Sequence, residues 1–346
     1  MQSLLHTYKR YRTLKTHRIS VLPIVILMPH SACNCRCVMC DIWKGNANLS
    51  QLTLEDISRL TGSLKELDTR QVVLSGGEAL LNKNFFALCA LLKKEKLGIT
   101  LLSTGITLRQ HAAGLVEAVD EIIISLDGTP GIHDAIRNIP GAFLKLAEGI
   151  DAIRQLDPGF RISGRTVIHR LNFQSWPAII DTARDIGLQQ ISFLPADVSS
   201  HAFNRPDLWT SGQQAQLLLG TEELRDMRMI IEDMLNIYRQ DFETGFIAES
   251  PEKIRKIYQY YAAFHGRNEF PYKRCNAPWV SVVVEPDGKV RPCFFHEPYG
   301  QIKEAPLRKL INNAAALAFR RELDIRKNPT CIKCVCSLNL PPRSAV

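Results

Sequence analysis

The chain has 346 residues, of which 45% are hydrophobic and 23% are charged, and its formal net charge is +8. This composition is ordinary for a soluble globular protein and argues against a disordered or fibrous chain. No stretch approaches the roughly 20 apolar residues of a membrane-spanning helix. Nine of the ten cysteines occur in groups instead of a disulfide framework, which indicates metal ligation in a reducing, cytoplasmic setting, while the lone Cys89 fits a core thiol.

Residues 1–20 form a basic N-terminal extension, which we expect to be solvated. Its charges are Lys9, Arg10, Arg12, Lys15 and Arg18. Contact with RNA or with an anionic membrane surface is the alternative that such a segment leaves open. No DNA partner is expected.

Four cysteines follow the first apolar run within residues 33–40. Cys33, Cys37 and Cys40 have Cys-x3-Cys-x2-Cys spacing, while Cys35 lies outside this pattern and is expected to be a bystander. Three thiolates on a cubane 4Fe-4S cluster leave one iron with an open coordination position. A zinc site is the alternative, but zinc usually takes four ligands in paired Cys-x2-Cys knuckles.

This spacing resembles the signature of the radical S-adenosylmethionine (SAM) enzymes. The resemblance implies that the three cysteines hold a 4Fe-4S cluster whose open iron chelates SAM. It also implies that a reductant such as flavodoxin or ferredoxin drives cleavage of SAM to a 5′-deoxyadenosyl radical, which takes a hydrogen atom from the substrate. The family commonly has an aromatic residue before the last cysteine, where this chain has Met39. Whether Met39 or Trp43 packs against SAM stays open.

Residues 21–200 alternate short apolar runs with amphipathic stretches, the pattern of repeated βα units around a parallel sheet. Strands are predicted at 21–27, 71–74, 99–103, 121–125, 161–168 and 190–194. Helices are predicted at 53–67, 84–96, 108–117, 142–155 and 176–186. Periodicity alone does not separate an open barrel from a doubly wound sheet. The resemblance implies the α/β fold of the family, a partial (β/α)6 TIM-like barrel whose ligands meet the carboxyl ends of the strands.

Two polar turns follow the second and third predicted strands. Gly76, Gly77 and Glu78 resemble the family's Gly-Gly-Glu turn, where backbone without side chains lies close to the SAM amino group. Ser103 begins a related polar turn. An ordinary βα turn is the alternative for both.

The later strands carry three further candidate SAM contacts. Ser125 begins a Ser-Leu-Asp-Gly sequence at the end of the fourth strand, and Arg137 lies downstream of it. The resemblance implies that Ser125 lies near the SAM ribose and Arg137 near the SAM carboxylate, a contact that suits a guanidinium. Arg137 as a surface helix residue is the alternative. Leu194 on the sixth strand fits a hydrophobic seat for adenine.

A helical connection is predicted over 201–270, with helical patterns at 222–241 and 251–264, and a second cysteine-rich domain over 271–346. Strands at 279–285 and 289–292 form a predicted hairpin around Asp287 and Gly288, a recognised turn pair. The hairpin brings Cys275 and Cys293 together. A helical stretch at 307–323 precedes the last cysteines of the chain.

The second cysteine group resembles the auxiliary-cluster domain of many radical SAM enzymes, in its shorter form, called twitch, since the longer SPASM form takes more cysteines. The ligands that this implies for a second 4Fe-4S cluster are Cys275, Cys293, Cys331 and Cys334, and Cys336 could replace Cys334. A closed four-thiolate cluster suits electron transfer. A four-cysteine zinc site stays the alternative.

These features predict an enzyme that oxidises, or forms a bond in, a small molecule or a peptide. About twenty residues precede the first strand, so a peptide would need a separate recognition partner or direct capture, which slightly favours a small molecule. His169 and Asp197 are candidate proton acceptors by strand position, although each also fits a packing or surface role. A non-catalytic electron carrier would explain the cysteines but not the Gly-Gly-Glu turn, Ser125 and Arg137.

Overall fold

A computed structural model describes residues 4–344, and it is built around one sheet of nine strands. The strands are β1 Ile24–Leu27, β2 Gln71–Leu74, β3 Gly98–Ser103, β4 Glu121–Ser125, β5 Arg161–Ile168, β6 Gln190–Pro195, β7 Ser281–Val284, β8 Lys289–Arg291 and β9 Gly300–Gln301. Their spatial order is β6-β5-β4-β3-β2-β1-β7-β8-β9. Strands β1 to β7 are parallel to their neighbours, and the β7–β8 and β8–β9 pairs are antiparallel.

Helices cover the sheet and link its strands. They are α1 Leu4–Thr16, α2 Leu54–Glu66, α3 Phe85–Lys94, α4 Leu108–Ala118, α5 Pro130–Arg137, α6 Ala142–Leu156, α7 Trp176–Asp185, α8 Ser211–Ala215, α9 Thr221–Ile237, α10 Arg239–Thr244, α11 Pro251–Ala263, α12 Ala277–Val280, α13 Leu307–Leu310, α14 Ala314–Glu322 and α15 Pro329–Lys333. Within the described residues, no helix is long and apolar enough to cross a membrane.

The main core lies between the outer face of the sheet and the helices. Alternate strand residues such as Val72 and Leu74, or Ile122 and Ile124, are fully or almost fully buried in it. The intervening residues face the inside of the partial barrel, because successive side chains of a strand point to opposite faces. The partial barrel of six βα units was predicted, and this fold class is confirmed.

Most predicted elements are present with small shifts at their ends. The first strand begins at Ile24 because Pro23 has no backbone N–H to donate to a neighbouring strand. The predicted strand at 279–285 is wrong in its first residues, since α12 occupies them and β7 begins at Ser281. The predicted helix at 307–323 is two helices, because Asn313 caps the start of α14 by accepting from the amide of Ala316.

The N-terminal extension is a helix packed on the C-terminal region, so the expectation of a solvated segment fails at Arg10, although Arg12, Lys15 and Arg18 are exposed. The side chain of Arg10 on α1 is buried and donates to the backbone carbonyls of Leu340, Pro341 and Ser344. Composition could not reveal this, because an arginine bonded to carbonyl groups looks the same in sequence as an exposed one.

Candidate functional site

The loop at residues 33–40, which we call the cluster loop, follows β1 and is held against the end of α5. The amide of Arg36 donates to the carbonyl of Arg137 over 3.0 Å, and the amide of Val38 donates to that of Ile136 over 3.1 Å. These bonds fix the backbone on which the predicted cluster cysteines lie.

The thiols of the cluster loop lie close to one another. Cys37 is buried, whereas Cys33 and Cys40 are half-buried. Cys35, expected to be a bystander, is buried and its thiol is hydrogen-bonded to those of Cys33 and Cys37. The bond from Cys35, together with the nearby Arg137 charge, lowers the pKa of Cys37 to about 6 against the effect of burial. Cys37 is therefore readily a thiolate, the form that binds metal.

The Gly-Gly-Glu turn lies directly against the start of the cluster loop. A Cβ atom on Gly77 would lie 2.0 Å from the carbonyl oxygen of Ala32, so a larger residue does not fit there. Gly76 has φ of +120°, a conformation that favours glycine. The amide of Glu78 donates to Ala32 over 2.8 Å. The turn and the cluster loop thus form one packed unit.

Glu78 joins the turns after β2 and β3. Its carboxylate is fully buried and accepts hydrogen bonds from the amide of Leu80, from the hydroxyl of Ser103, and from the amide and hydroxyl of Thr104. Burial raises the pKa of Glu78, and the bonds from Thr104 oppose that rise. The hydroxyl of Ser103, which was predicted as a SAM contact, therefore donates its hydrogen bond to Glu78.

Arg137 lies beside a cluster cysteine and is not a surface residue. Its guanidinium pairs with the buried carboxylate of Asp127 and donates to the Cys37 sulfur over 3.4 Å. Asp127 also accepts from the amide of Val167 over 3.0 Å. Burial opposes the charge of Arg137, but Asp127 together with the neighbouring Cys37 and Cys35 outweighs burial and raises the pKa of Arg137. The pair places a fixed cation at the edge of the cluster loop.

A second buried ion pair supports the cluster loop from the other side. Arg205 and Asp197 pair over 2.7 Å, with almost no exposure of either side chain. Arg205 also donates to the carbonyl of Met39 over 3.1 Å and stacks on Trp209 at 3.9 Å. Trp209 donates to Asp41 over 2.8 Å. These contacts give Asp197 a structural role, so its candidacy as a proton acceptor loses support.

His169 is buried at the end of β5. Its Nδ1 accepts from the amide of Leu171 over 3.2 Å, and Nε2 has no hydrogen-bond partner among residues 4–344. Burial, with a smaller effect from Arg137, lowers the pKa of His169 to about 3. A group that stays neutral and enclosed is poorly suited to take up a proton, so this candidacy also loses support.

The remaining SAM candidates line the inner face of the sheet. Ser125 and Leu194 are half-buried at the carboxyl ends of β4 and β6. Met39 is buried in a small apolar cluster with the cluster-loop cysteines, while Trp43 is half-buried after the loop. No contact in the described residues decides between Met39 and Trp43, and the SAM contacts stay predictions.

The five C-terminal cysteines surround one cavity. They come from four places: before α12, after β8, on α15 and just after α15. The cysteines that line the cavity are Cys275, Cys293, Cys331, Cys334 and Cys336. We call it the C-terminal cysteine cavity. Within residues 4–344, no group of three His, Cys, Asp or Glu side chains is arranged to hold a single metal ion. An all-thiol donor set suits an iron–sulfur cluster.

Two polar side chains also border the C-terminal cysteine cavity. His296 Nε2 lies 3.4 Å from the sulfur of Cys331, and Lys273 donates to the carbonyl of Ile332 over 3.3 Å. The thiol of Cys334 donates to the backbone of Cys336 over 3.1 Å. Both of the last two cysteines line the cavity, so the assignment of Cys334 as the final ligand stays a prediction.

Two family models match the chain, and each covers one cysteine site. Residues 27–183 match the radical SAM superfamily, and residues 275–335 match the SPASM iron-sulfur cluster-binding domain. These matches confirm the predicted resemblance to radical SAM enzymes with a C-terminal auxiliary iron-sulfur domain. The two domains imply a radical SAM 4Fe-4S cluster, an auxiliary cluster and bound SAM. This radical SAM protein is an enzyme, as its curated relatives are.

The curated relatives differ in what they act on. The Fe-coproporphyrin III synthase of Methanosarcina barkeri is 21% identical over 93% of this chain and 84% of its own length. The antilisterial bacteriocin subtilosin biosynthesis protein AlbA of Bacillus subtilis is 22% identical over 83% of this chain and 60% of its own length. The sporulation killing factor maturation protein SkfB of Bacillus subtilis is 22% identical over 90% of this chain and 70% of its own length.

Solved structures share the fold at low identity. Streptococcus suis SuiB bound to its precursor peptide SuiA superposes with a TM-score of 0.63 at 13% identity, covering 94% of this chain and 73% of SuiB. The protein anSMEcpe with bound AdoMet and a peptide superposes with a TM-score of 0.63 at 17% identity, covering 90% of this chain and 88% of anSMEcpe. Likeness at this level of identity concerns the fold alone.

Proposed function

We propose that this radical SAM enzyme carries out a two-electron oxidation or a bond formation on a peptide side chain. Two of its relatives, AlbA and SkfB, are named for bacteriocin biosynthesis and for maturation of a killing factor. SuiB, which shares the fold, has been solved with a precursor peptide. These relatives favour a peptide over the small molecule that the sequence alone slightly favoured.

The single observation that carries the oxidative chemistry is the presence of two separate cysteine sites on one continuous sheet. The cluster loop follows β1, and the hairpin between Cys275 and Cys293 begins with β7, which pairs with β1. A substrate radical that loses an electron needs a nearby acceptor. A second cluster in the C-terminal cysteine cavity would supply one.

We assign the ligands and domains from the sequence spacing and the C-terminal cysteine cavity. The first cluster is held by Cys33, Cys37 and Cys40, and the second by Cys275, Cys293, Cys331 and Cys334. The first cluster, when bound with SAM, supplies a 5′-deoxyadenosyl radical that removes a hydrogen atom from the substrate. The radical SAM core spans 21–200 and the auxiliary domain spans 271–346. We place the enzyme in the cytoplasm with flavodoxin or ferredoxin as reductant, where thiols stay reduced.

The protein's own residues position the cofactor. Asp127 holds the Arg137 guanidinium in one orientation beside Cys37, where it is suited to bind the SAM carboxylate. Glu78 links the turns that follow β2 and β3 through its hydrogen bonds with Thr104. These bonds fix the backbone of Gly76 and Gly77, which would face the SAM amino group.

The decisive experiment is anaerobic reconstitution with iron and sulfide, followed by reduction in the presence of SAM. We expect 5′-deoxyadenosine to form, and deuterium to move into it from a perdeuterated peptide pool. The Cys331→Ala/Cys334→Ala variant should still cleave SAM but should yield no oxidised peptide. Formation of 5′-deoxyadenosine without deuterium transfer from any peptide would refute the peptide assignment. Absence of SAM cleavage would refute the radical chemistry.

A porphyrin is the second candidate substrate. The Fe-coproporphyrin III synthase aligns with 93% of this chain and 84% of its own length, a larger share of the relative than for AlbA or SkfB. Iron-coproporphyrin III should therefore be tested beside the peptide pool. Its conversion by wild-type enzyme, with no peptide reaction, would favour this candidate.

A further inference from the structure

Arg165 on β5 points into the partial barrel. Ile162 and Ile168 of the same strand are fully buried in the core beneath the helices, and a Cβ atom on Gly164 would meet the Leu188 side chain at 2.8 Å. These even-numbered positions therefore face outward. Because side chains alternate along a strand, Arg165 faces inward.

Arg165 lies beside a predicted SAM contact on the inner face of the sheet. It is in register with Ser125 on β4 and with Ser192 on β6, and its Nε donates to the Ser192 hydroxyl over 3.3 Å. On the other side it interacts electrostatically with Cys336, which lines the C-terminal cysteine cavity. Arg165 is thus near a predicted SAM contact and also near the second cysteine site.

Arg165 differs from Arg137 and Arg205 in lacking an ion pair. Arg137 is paired with Asp127, and Arg205 with Asp197. Across residues 4–344, no carboxylate lies within 4.0 Å of Arg165, and its terminal nitrogens form no hydrogen bond. The carboxylate of Glu249 interacts with it at longer range but accepts a hydrogen bond from the amide of Phe193.

We propose that Arg165 binds a carboxylate of the substrate and so holds an acidic peptide side chain on the inner face of the sheet. A half-buried guanidinium with no carboxylate in direct contact can bind a carboxylate ligand through two parallel hydrogen bonds. The contact fixes the orientation of the substrate, so Arg165 determines specificity. This inference rests on the proposed function and names its substrate class.

The test compares two synthetic peptide pools that differ in having glutamate or glutamine at the central position. Formation of 5′-deoxyadenosine above the peptide-free rate is measured with reconstituted wild type, Arg165→Gln, Arg165→Lys and the control Arg161→Gln. Arg161 lies on the same strand but is exposed and pairs with Glu121 over 3.2 Å. Iron content and the spectral response to SAM are recorded for each protein.

We expect the glutamate pool to be preferred by wild type and by Arg161→Gln. In Arg165→Gln the KM for that pool should rise by about 10- to 100-fold, the loss typical of a hydrogen bond to a charged group. Arg165→Lys should recover part of the loss, and iron content and the SAM response should not change. Equal or absent stimulation by both pools, or loss of iron or of the SAM response in Arg165→Gln, would overturn the proposal. Failure of wild type to cleave SAM even without peptide would instead count against the proposed function.

Discussion

The two cysteine sites differ in how far the protein itself fixes them. The cluster loop is bound by backbone hydrogen bonds to α5, by Arg205 at Met39, and by the packed Gly-Gly-Glu turn. The cysteines of the C-terminal cavity lie instead on short elements such as the five-residue α15 and the tail after it. The difference indicates that the first site is shaped before metal binds, while the second depends more on its metal for order.

The largest effect should come from removing the first site. In the variant Cys33→Ala/Cys37→Ala/Cys40→Ala, SAM cleavage should be abolished, and bound iron should fall from about eight to about four atoms per chain, as two cubanes predict. Iron analysis and 5′-deoxyadenosine assays measure this. Zinc in place of iron in the wild-type protein would contradict it.

Breaking the buried pair behind the cluster loop should destabilise the fold. Asp197→Ala leaves the Arg205 charge buried without its partner, so the free energy of unfolding should fall by about 3–5 kcal/mol. Denaturant titration measures the change. The control is Glu232→Ala, which removes a pair to Arg255 whose side chains are both 50% exposed and should cost less than about 1 kcal/mol. Equal losses in both variants would refute the role of the buried pair.

A larger side chain in the Gly-Gly-Glu turn should push this turn away from the cluster loop. Gly77→Ala places a Cβ atom against the Ala32 carbonyl, and we expect a loss of about 1–3 kcal/mol, typical of overpacking, together with a weaker spectral response to SAM. Gly131→Ala is the control, since its Cβ atom meets nothing within 4 Å. A normal SAM response in Gly77→Ala would contradict the packed unit.

Acid should weaken the fold through His169. Its pKa is about 3 in the folded protein and about 6.5 when unfolded, so the unfolded chain takes up the proton first as pH falls below 6.5. Stability is then lost by about 1.4 kcal/mol per pH unit between those values. In His169→Asn, whose amide oxygen can still accept from Leu171, denaturant titrations at pH 4 to 7 should show a correspondingly smaller slope. An unchanged slope would exclude His169 as the cause.

Metal removal should give the smallest and most local change. After anaerobic chelation, amides in residues 329–338 should exchange hydrogen faster, while those of Arg36 and Val38 keep their partners on α5. Hydrogen exchange read by mass spectrometry compares the two segments directly. An equal increase in hydrogen exchange in both segments would contradict the claim that the second site depends more on its metal than the first.

The sequence could predict the features that depend on local spacing. The apolar alternation of β2, β4 and β5 and the cysteine spacings are such features, because each is a short-range pattern. The pairing of Arg137 with Asp127 could have been suspected, since both lie in the segment that resembles the family. Their connection through α5 was missed because that eight-residue helix is short.

The contacts that shape the site across long distances could not be predicted. Arg205 lies in the connection at 201–270, which resembles nothing specific, yet it contacts Met39, 166 positions earlier in the chain. The inward position of Arg165 needs the register of β5 between β4 and β6. Neither feature leaves a periodic signal, because the partner residues are brought together only by the tertiary fold.

The parallel pairing of β7 with β1 has a mechanical consequence. Four residues of each strand are aligned, from Ile24 with Ser281 to Leu27 with Val284. The N-terminal and C-terminal parts of the sheet are therefore joined, and they cannot move apart as hinged lobes without breaking the hydrogen bonds between β1 and β7. Any opening that admits a bulky molecule must therefore come from the loops and the tail, while the spacing between β1 and β7 stays fixed.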